Sequence, residues 1–242
     1  MAKSRGGVTE DDLPVGVALP GWTPPAWPSR EPMIGRYCRL DPLDPERHAP
    51  ILFQEFAADA SGRNWTYMAY GPFCEAAEYR DWMVANCLGN DPQFFAITPA
   101  ATGRPAGVAS YLRITPASGS IEVGHIMYSP SLHRSPAATE AMYLMMRHAF
   151  ELGYRRYEWK CDSLNAASRA AATRLGLSFE GIFRQATVYK GRNRDTAWYA
   201  AIDSEWNELR GAFENWLDPN NFDAGGKQRT RLSDLTRPIL KA

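Results

Sequence analysis

The sequence has no excess of either charge, with 27 basic residues against 27 acidic ones, and no basic block or stripe that would track a phosphate backbone. Nucleic acid is therefore not an expected partner. Cysteine is scarce and scattered. Cys38, Cys74, Cys87 and Cys161 form no CxxC pair, and each falls in an apolar or amphipathic stretch, which reads as reduced thiols in a core and argues against a disulfide framework or a zinc site. No run approaches the roughly 18 apolar residues of a membrane span. The start of the chain carries Glu10, Asp11 and Asp12 where a secretory leader would carry its apolar segment. These absences give the expectation of a cytoplasmic chain with no membrane partner and no metal.

What is present is enough apolar material, 45% of 242 residues, to bury the core of one large domain with appendages. Six prolines between Pro14 and Pro32 deny the backbone donors that helices and central strands need, so residues 1–33 read as an extended arm, with Trp22 and Trp27 expected to pin it to the body. Regular structure is expected from 36–43 (strand) and 45–57 (helix, capped by Asp44 with Pro45 at its first position). A second helix is expected over 74–88, where Tyr79, Trp82, Met83 and Cys87 recur at helical spacing. Three β-rich runs follow at 93–98, 106–114 and 120–128, separated by turn signals. Then come helix 136–152, strand 154–161, helix 166–175 and two strands at 182–188 and 196–202. Strands in series followed by alternation argue for a mixed α/β sheet over 34–203. Residues 204–242 hold a helix whose stripe of Trp206, Leu209, Phe213, Trp216 and Leu217 needs covering by its own domain or by a second copy in a homodimer.

The most informative segment is His133-Arg134-Ser135-Pro136-Ala137-Ala138-Thr139-Glu140. Ser135 suits an N-cap and Pro136 a first helical residue, so a helix opens at the tip of a sheet with free amides, an arrangement that favours an anion. Glu140 reads as a complement to that positive end. Further on stand Asn165-Ala166-Ala167-Ser168, Arg174-Leu175-Gly176-Leu177 and Glu180-Gly181-Ile182-Phe183-Arg184.

Thr-Glu-Ala opening a helix, a strand, Asn-x-x-Ser, Leu-Gly and Glu-Gly-x-x-Arg, in that order, resemble the RimJ/RimL branch of the GNAT acetyltransferases over roughly residues 34–203. The resemblance implies an α/β fold whose mixed sheet, antiparallel strands followed by βαβ units, is splayed at its centre. Acetyl-CoA would insert between the 120–128 and 154–161 strands, its pantetheine pairing with backbone near Met127 and Tyr128. The pyrophosphate would rest on the segment His133, Arg134, Ser135, Ala137, Ala138 and Thr139. Asn165 would bind the pantetheine arm and Ser168 would face the leaving sulfur. One position departs from the family pattern: Pro136 stands where an amide donor is usual, so one phosphate contact is expected to be missing, with the Thr139 hydroxyl, Arg134 and the remaining helix-end amides as its candidate replacements.

The implied reaction is transfer of an acetyl group to an amine, either a protein N-terminus or a small amine, by direct attack. With an amine pKa of about 10.4, reaching the neutral form at pH 7 costs on the order of 4–5 kcal/mol, so a base is useful. Glu122, in Ile121-Glu122-Val123-Gly124-His125, is the candidate base, and Ser168 the candidate acid. On a regular strand His125 would face with Ile121, Val123 and Met127, opposite Glu122, unless a bulge intervenes. His125, Trp65 and Tyr67 are the candidate acceptor contacts, and the charged turn 190–195 a candidate border. The alternative is a catalytically inactive module that keeps the fold to bind acyl-CoA.

Overall fold

The computed structural model describes residues 7, 8 and 13–241; the rest of the expected arm, 1–6 and 9–12, lies outside the described residues. A two-residue ribbon, β1 (Gly7–Val8) with β2 (Pro14–Val15), precedes β3 (Met33–Ile34), β4 (Cys38–Pro42), α1 (Pro45–Ala57), α2 (Ala76–Asn86), β5 (Gln93–Pro99), β6 (Gly107–Thr115) and β7 (Ser120–Tyr128). After these come α3 (Pro136–Glu151), β8 (Arg156–Asp162), α4 (Ala166–Arg174), β9 (Ser178–Tyr189), β10 (Arg192–Ile202), α5 (Asp203–Leu217) and α6 (Leu232–Thr236). No helix among them is long and apolar enough to cross a membrane.

Eight strands form one mixed sheet in the order β3-β4-β5-β6-β7-β8-β10-β9. Only β7 and β8 run parallel, because α3 carries the chain back between them, as a parallel pair requires. Two apolar layers cover the sheet. On one face α3 packs over Tyr111, Ile121, Val123, Tyr157 and Trp159; on the other α1 and α2 pack over Phe94, Ala96, Val108 and Met127. The α5 stripe is buried by its own chain: Trp206 stacks on Phe150 at 5.1 Å and Phe213 lies 5.3 Å from Tyr143.

The structure revises several expectations. Trp27 is 50% exposed, whereas Pro25 and Pro28 are buried and Trp22 lies under the Arg155 guanidinium. Residues 22, 25 and 28 share the three-residue period of an extended proline-rich chain, which turns Trp27 outward. Cys74 is exposed, since α2 starts at Ala76 and leaves it in the preceding loop. The last hairpin is longer than its apolar runs suggest. Its turn narrows to Lys190 and Gly191, both at positive φ (49° and 67°), the geometry of a tight two-residue hairpin, and Arg192–Asp195 become strand. The tail also carries α6, held where Thr236 Oγ1 donates to the Arg174 carbonyl at 3.0 Å.

Glu140 does not serve the start of its own helix. It is buried, and its carboxylate accepts from the backbone amides of Arg36 (2.8 Å), Tyr37 (2.5 Å) and Cys38 (2.8 Å). This clamps the β3–β4 turn onto α3. Gly35 is required there, because a Cβ would collide with the same carboxyl group. Removing the acceptor strands three donors. Glu140→Ala is expected to cost about 3 kcal/mol, lowering the melting temperature by roughly 5–10 °C, with Glu140→Gln losing about half as much; calorimetry of the three proteins checks this.

Candidate active site

The parallel ladder between β7 and β8 is short. It runs from Ser120 opposite Arg156 to Val123 opposite Trp159 and stops there. Beyond it β7 stays paired with β6 as far as Tyr128, and β8 stays paired with β10 as far as Asp162. The two strands therefore part at the centre of the sheet. A β-bulge sits at the parting: Gly124 faces Ser110 and Met127 faces Val108, so two residues of β7, His125 and Ile126, oppose the single Ala109. His125 takes φ 50°, and such a bulge bends its strand away from a neighbour.

Glu122 lies just below the parting, its side chain on the face covered by α1 and α2 and only 3% exposed. Its Oε1 accepts from Arg113 Nη1 at 2.7 Å, and its Oε2 stands 2.9 Å from Lys160 Nζ. Lys160 is 2.6 Å from Glu158 Oε2 and 3.8 Å above the Trp198 ring. Arg156 continues the row, 2.6 Å from Glu158 and 2.8 Å from Glu180. Period-two alternation puts Glu158 and Lys160 on one face of β8, and the parallel register sets Glu122 beside Glu158. Burial pushes the Glu122 carboxyl above its ordinary value, against the pull of Arg113 and Lys160. Burial also acts to raise Glu158, but its hydrogen bonds to Arg156 and Lys160 prevail and hold it below the usual range.

The bulge also decides where His125 points. Instead of facing away from Glu122, its ring lies 4.9 Å from Phe94 and 5.7 Å from Tyr70, with Nδ1 3.2 Å from the Tyr70 hydroxyl. Phe94 belongs to the face under α1 and α2, so Glu122 and His125 share a side. Burial, assisted by Arg113, lowers the imidazole pKa to about 4. It is neutral at physiological pH.

The segment between α1 and α2 forms a band across the mouth of the gap. Asn64 Nδ2 donates to the Tyr128 carbonyl at 3.1 Å, the Tyr67 hydroxyl to the Leu164 carbonyl at 3.1 Å, and Lys190 Nζ to the Trp65 carbonyl at 2.8 Å. One loop thus touches the end of β7, the loop after β8 and the last hairpin. The Trp65 ring is not an open contact surface: it is buried edge-on to Phe56, Phe73 and Tyr79, because four aromatics converge there. Asp162, whose Oδ2 accepts from the Tyr189 hydroxyl at 2.9 Å, also lies by the gap. Pattern reading missed Arg113, Lys160 and Asp162, and held Asn64 only as part of the 64–68 segment that could shape a pocket. The alternation of Glu158, Lys160 and Asp162 along β8 was the available signal for two of them; Arg113 left none.

On the other face, Ser135 caps α3, with Oγ accepting from the Ala138 amide at 3.1 Å and donating to the Leu132 carbonyl at 2.7 Å. Pro136 has no amide hydrogen, so among the first helical positions only Ala137 keeps a free donor. His133 and Arg134 are exposed, Arg134 at φ 56°. Thr139 faces inward, 5% exposed, accepting from Arg174 Nη1 at 3.2 Å. The Tyr128 hydroxyl donates to the Ala138 carbonyl at 3.2 Å, and the Met127 side chain is buried under α1 and α2. Asn165 caps α4 through the Ser168 amide at 3.1 Å, and Ser168 Oγ accepts from Trp159 Nε1 at 2.9 Å, while its own hydroxyl proton is shared with the Cys161 thiol. The unladdered edges of β7 and β8 suit an extended amide chain, and the α3 start suits a diphosphate. These edges fit the pantetheine of coenzyme A, while the α3 start offers its diphosphate a positive helix end but few free amides.

Comparison with known proteins agrees with this geometry. The sequence profile described as Acetyltransferase (GNAT) domain matches residues 38–178. A GCN5-related N-acetyltransferase from Brucella melitensis is 44% identical, with 90% of this chain and 100% of that one covered and a TM-score of 0.88. A probable GNAT-family acetyltransferase from Chromobacterium violaceum is 40% identical over 81% and 98% of the two chains, with a TM-score of 0.75. An acetyltransferase from Salmonella typhimurium that modifies the N-terminal serine of ribosomal protein L7/L12 shares the fold at 24% identity, 71% and 99% coverage and a TM-score of 0.62. Comparison with curated protein sequences gives no match. A parted mixed sheet, a capped helix at its tip and a profile match over more than half of its length together make this chain a member of the GNAT acetyltransferase family.

Proposed function

We propose that the chain moves an acetyl group from acetyl-CoA to a primary amine, on a protein N-terminus or a small molecule, within a ternary complex, and that it stands near the RimJ/RimL branch. The observation that carries this reading is the pairing of a central gap with a buried glutamate on the acceptor side. Acetyl-CoA supplies a thioester carbonyl already activated for attack; the chain has to align the amine with it and manage two protons.

Glu122 takes the first proton, from the incoming ammonium, directly or through water. Its raised pKa makes it a better base than an exposed carboxylate. Arg113 and Lys160 keep it oriented. Arg113 is exposed and can yield its place to a cationic acceptor, whereas Lys160 is 9% exposed and fixed between two carboxylates and a ring. The second proton goes from the Ser168 hydroxyl to the departing thiolate. Neutral His125 and Tyr70 wall the acceptor side, and Tyr67 and Asn64 hold the band the acceptor passes. The names of the RimL-type structures, which refer to a protein α-amine, support including N-terminal peptides among acceptors. Retention of the fold for binding alone is less favoured, since it gives no reason to bury Glu122 between two cations.

Glu122→Gln is expected to lower kcat/KM by roughly 10²–10⁴ while acetyl-CoA affinity stays unchanged, measured by thiol release against small amines and N-terminal peptides. Full turnover by the variant would remove Glu122 from the mechanism. The His125 pKa of about 4 lies below the ordinary 6.5, so the stability linked to this ring is complete above pH 6.5 and is lost as pH falls from there through 4. An NMR titration should show its imidazole unprotonated at pH 6, with a midpoint near 4; a midpoint near 6.5 would contradict its burial against Tyr70 and Phe94.

A further inference from the structure

Arg174, the last residue of α4, carries a charge that no carboxylate neutralises among the described residues. Its guanidinium lies over the Trp216 ring at 5.1 Å and donates to Thr139 Oγ1 at 3.2 Å. Thr139 is in the first turn of α3, the positive end of that helix. A partly buried cation beside the positive end of α3 loses hydration and meets repulsion there, offset in part by the negative end of α4, whose last residue it is, and by the Trp216 ring. Burial lowers its pKa, with the Tyr128 hydroxyl the only group opposing that. The fold nevertheless fixes the guanidinium from two sides. The arrangement becomes favourable when an anion sits between the helix start and the arginine.

The same helix start is short of donors for such an anion. Pro136 offers none, and the Ala138 amide is spent on Ser135 Oγ. Arg174 lies where the deficit falls, is half-buried, and lines with Thr173, Ser233 and Arg237 a groove between α4 and α6. A guanidinium presents donors in a planar fork suited to phosphate oxygens, which an ammonium does not. We propose that Arg174 is the diphosphate anchor of the cofactor site, replacing from α4 the amide contacts that Pro136 and the Ser135 cap withdraw from α3. This rests on coenzyme A being the ligand of the gap.

The test compares coenzyme A with pantetheine, which lacks every phosphate, by titration calorimetry on the full chain. Arg174→Gln should weaken coenzyme A about 10- to 100-fold and leave pantetheine unchanged. Its plot of log affinity against log salt should also be shallower than that of wild type. Arg174→Lys, which keeps the charge and the stack on Trp216, should fall between. Adding Pro136→Ala to Arg174→Gln returns an amide and should recover part of the loss. A melting curve for each variant separates misfolding from lost contact, and the lysine variant carries the test if the glutamine variant does not fold. Coenzyme A affinity within twofold of wild type in the folded variants, or equal losses for coenzyme A and pantetheine, would overturn the proposal. Wild type binding neither ligand would instead overturn the reading of the gap as a cofactor site.

Discussion

One extra residue in β7 governs the site. The insertion that sets His125 and Ile126 against Ala109 ends the parallel ladder at Val123, turns the His125 ring toward Phe94, and leaves two strand edges unpaired in the middle of an eight-stranded sheet. Unpaired strand edges are costly inside a protein and are normally covered. Here they lie between a capped helix on one face and a buried glutamate on the other, so the same defect that interrupts the sheet makes a slot lined with hydrogen-bonding groups.

The two faces have different electrical characters. Toward α1 and α2, charges alternate in a row from Arg113 through Glu122, Lys160, Glu158 and Arg156 to Glu180, so each buried charge has neighbours of opposite sign. Ion pairs so buried add little net stability over apolar packing; their value here is to hold one carboxylate at a fixed place with a shifted proton affinity. Toward α3 and α4, Arg174 stands beside the start of α3 with no carboxylate partner among the described residues. On the proposed reading, the acceptor amine approaches the carboxylate row and the cofactor's phosphates approach Arg174 and the start of α3.

Much of this was legible in the sequence. Alternation marked β7 and placed Glu122 on the face away from Ile121 and Val123, and Ser135-Pro136 marked the start of α3. The bulge was only hinted at, by Gly124 within the strand, and so the side taken by His125 stayed conditional on it. Trp65 read either as a pocket wall or as a plug of the core, since an aromatic in a loop is open to both roles; the convergence of Phe56, Phe73 and Tyr79 makes it core. Glu140 looked like a helix-end charge because its true partners, the amides at 36–38, lie about a hundred residues away. Local patterns reported local structure, and long-range partners were invisible to them.

The account stands on the gap between β7 and β8 receiving the cofactor as an added strand. Hydrogen exchange of the full chain with and without acetyl-CoA tests this most directly. Slowed exchange confined to residues 124–128, 134–139 and 160–168 is the result expected. Protection elsewhere, with those three segments unchanged at saturating cofactor, would contradict it.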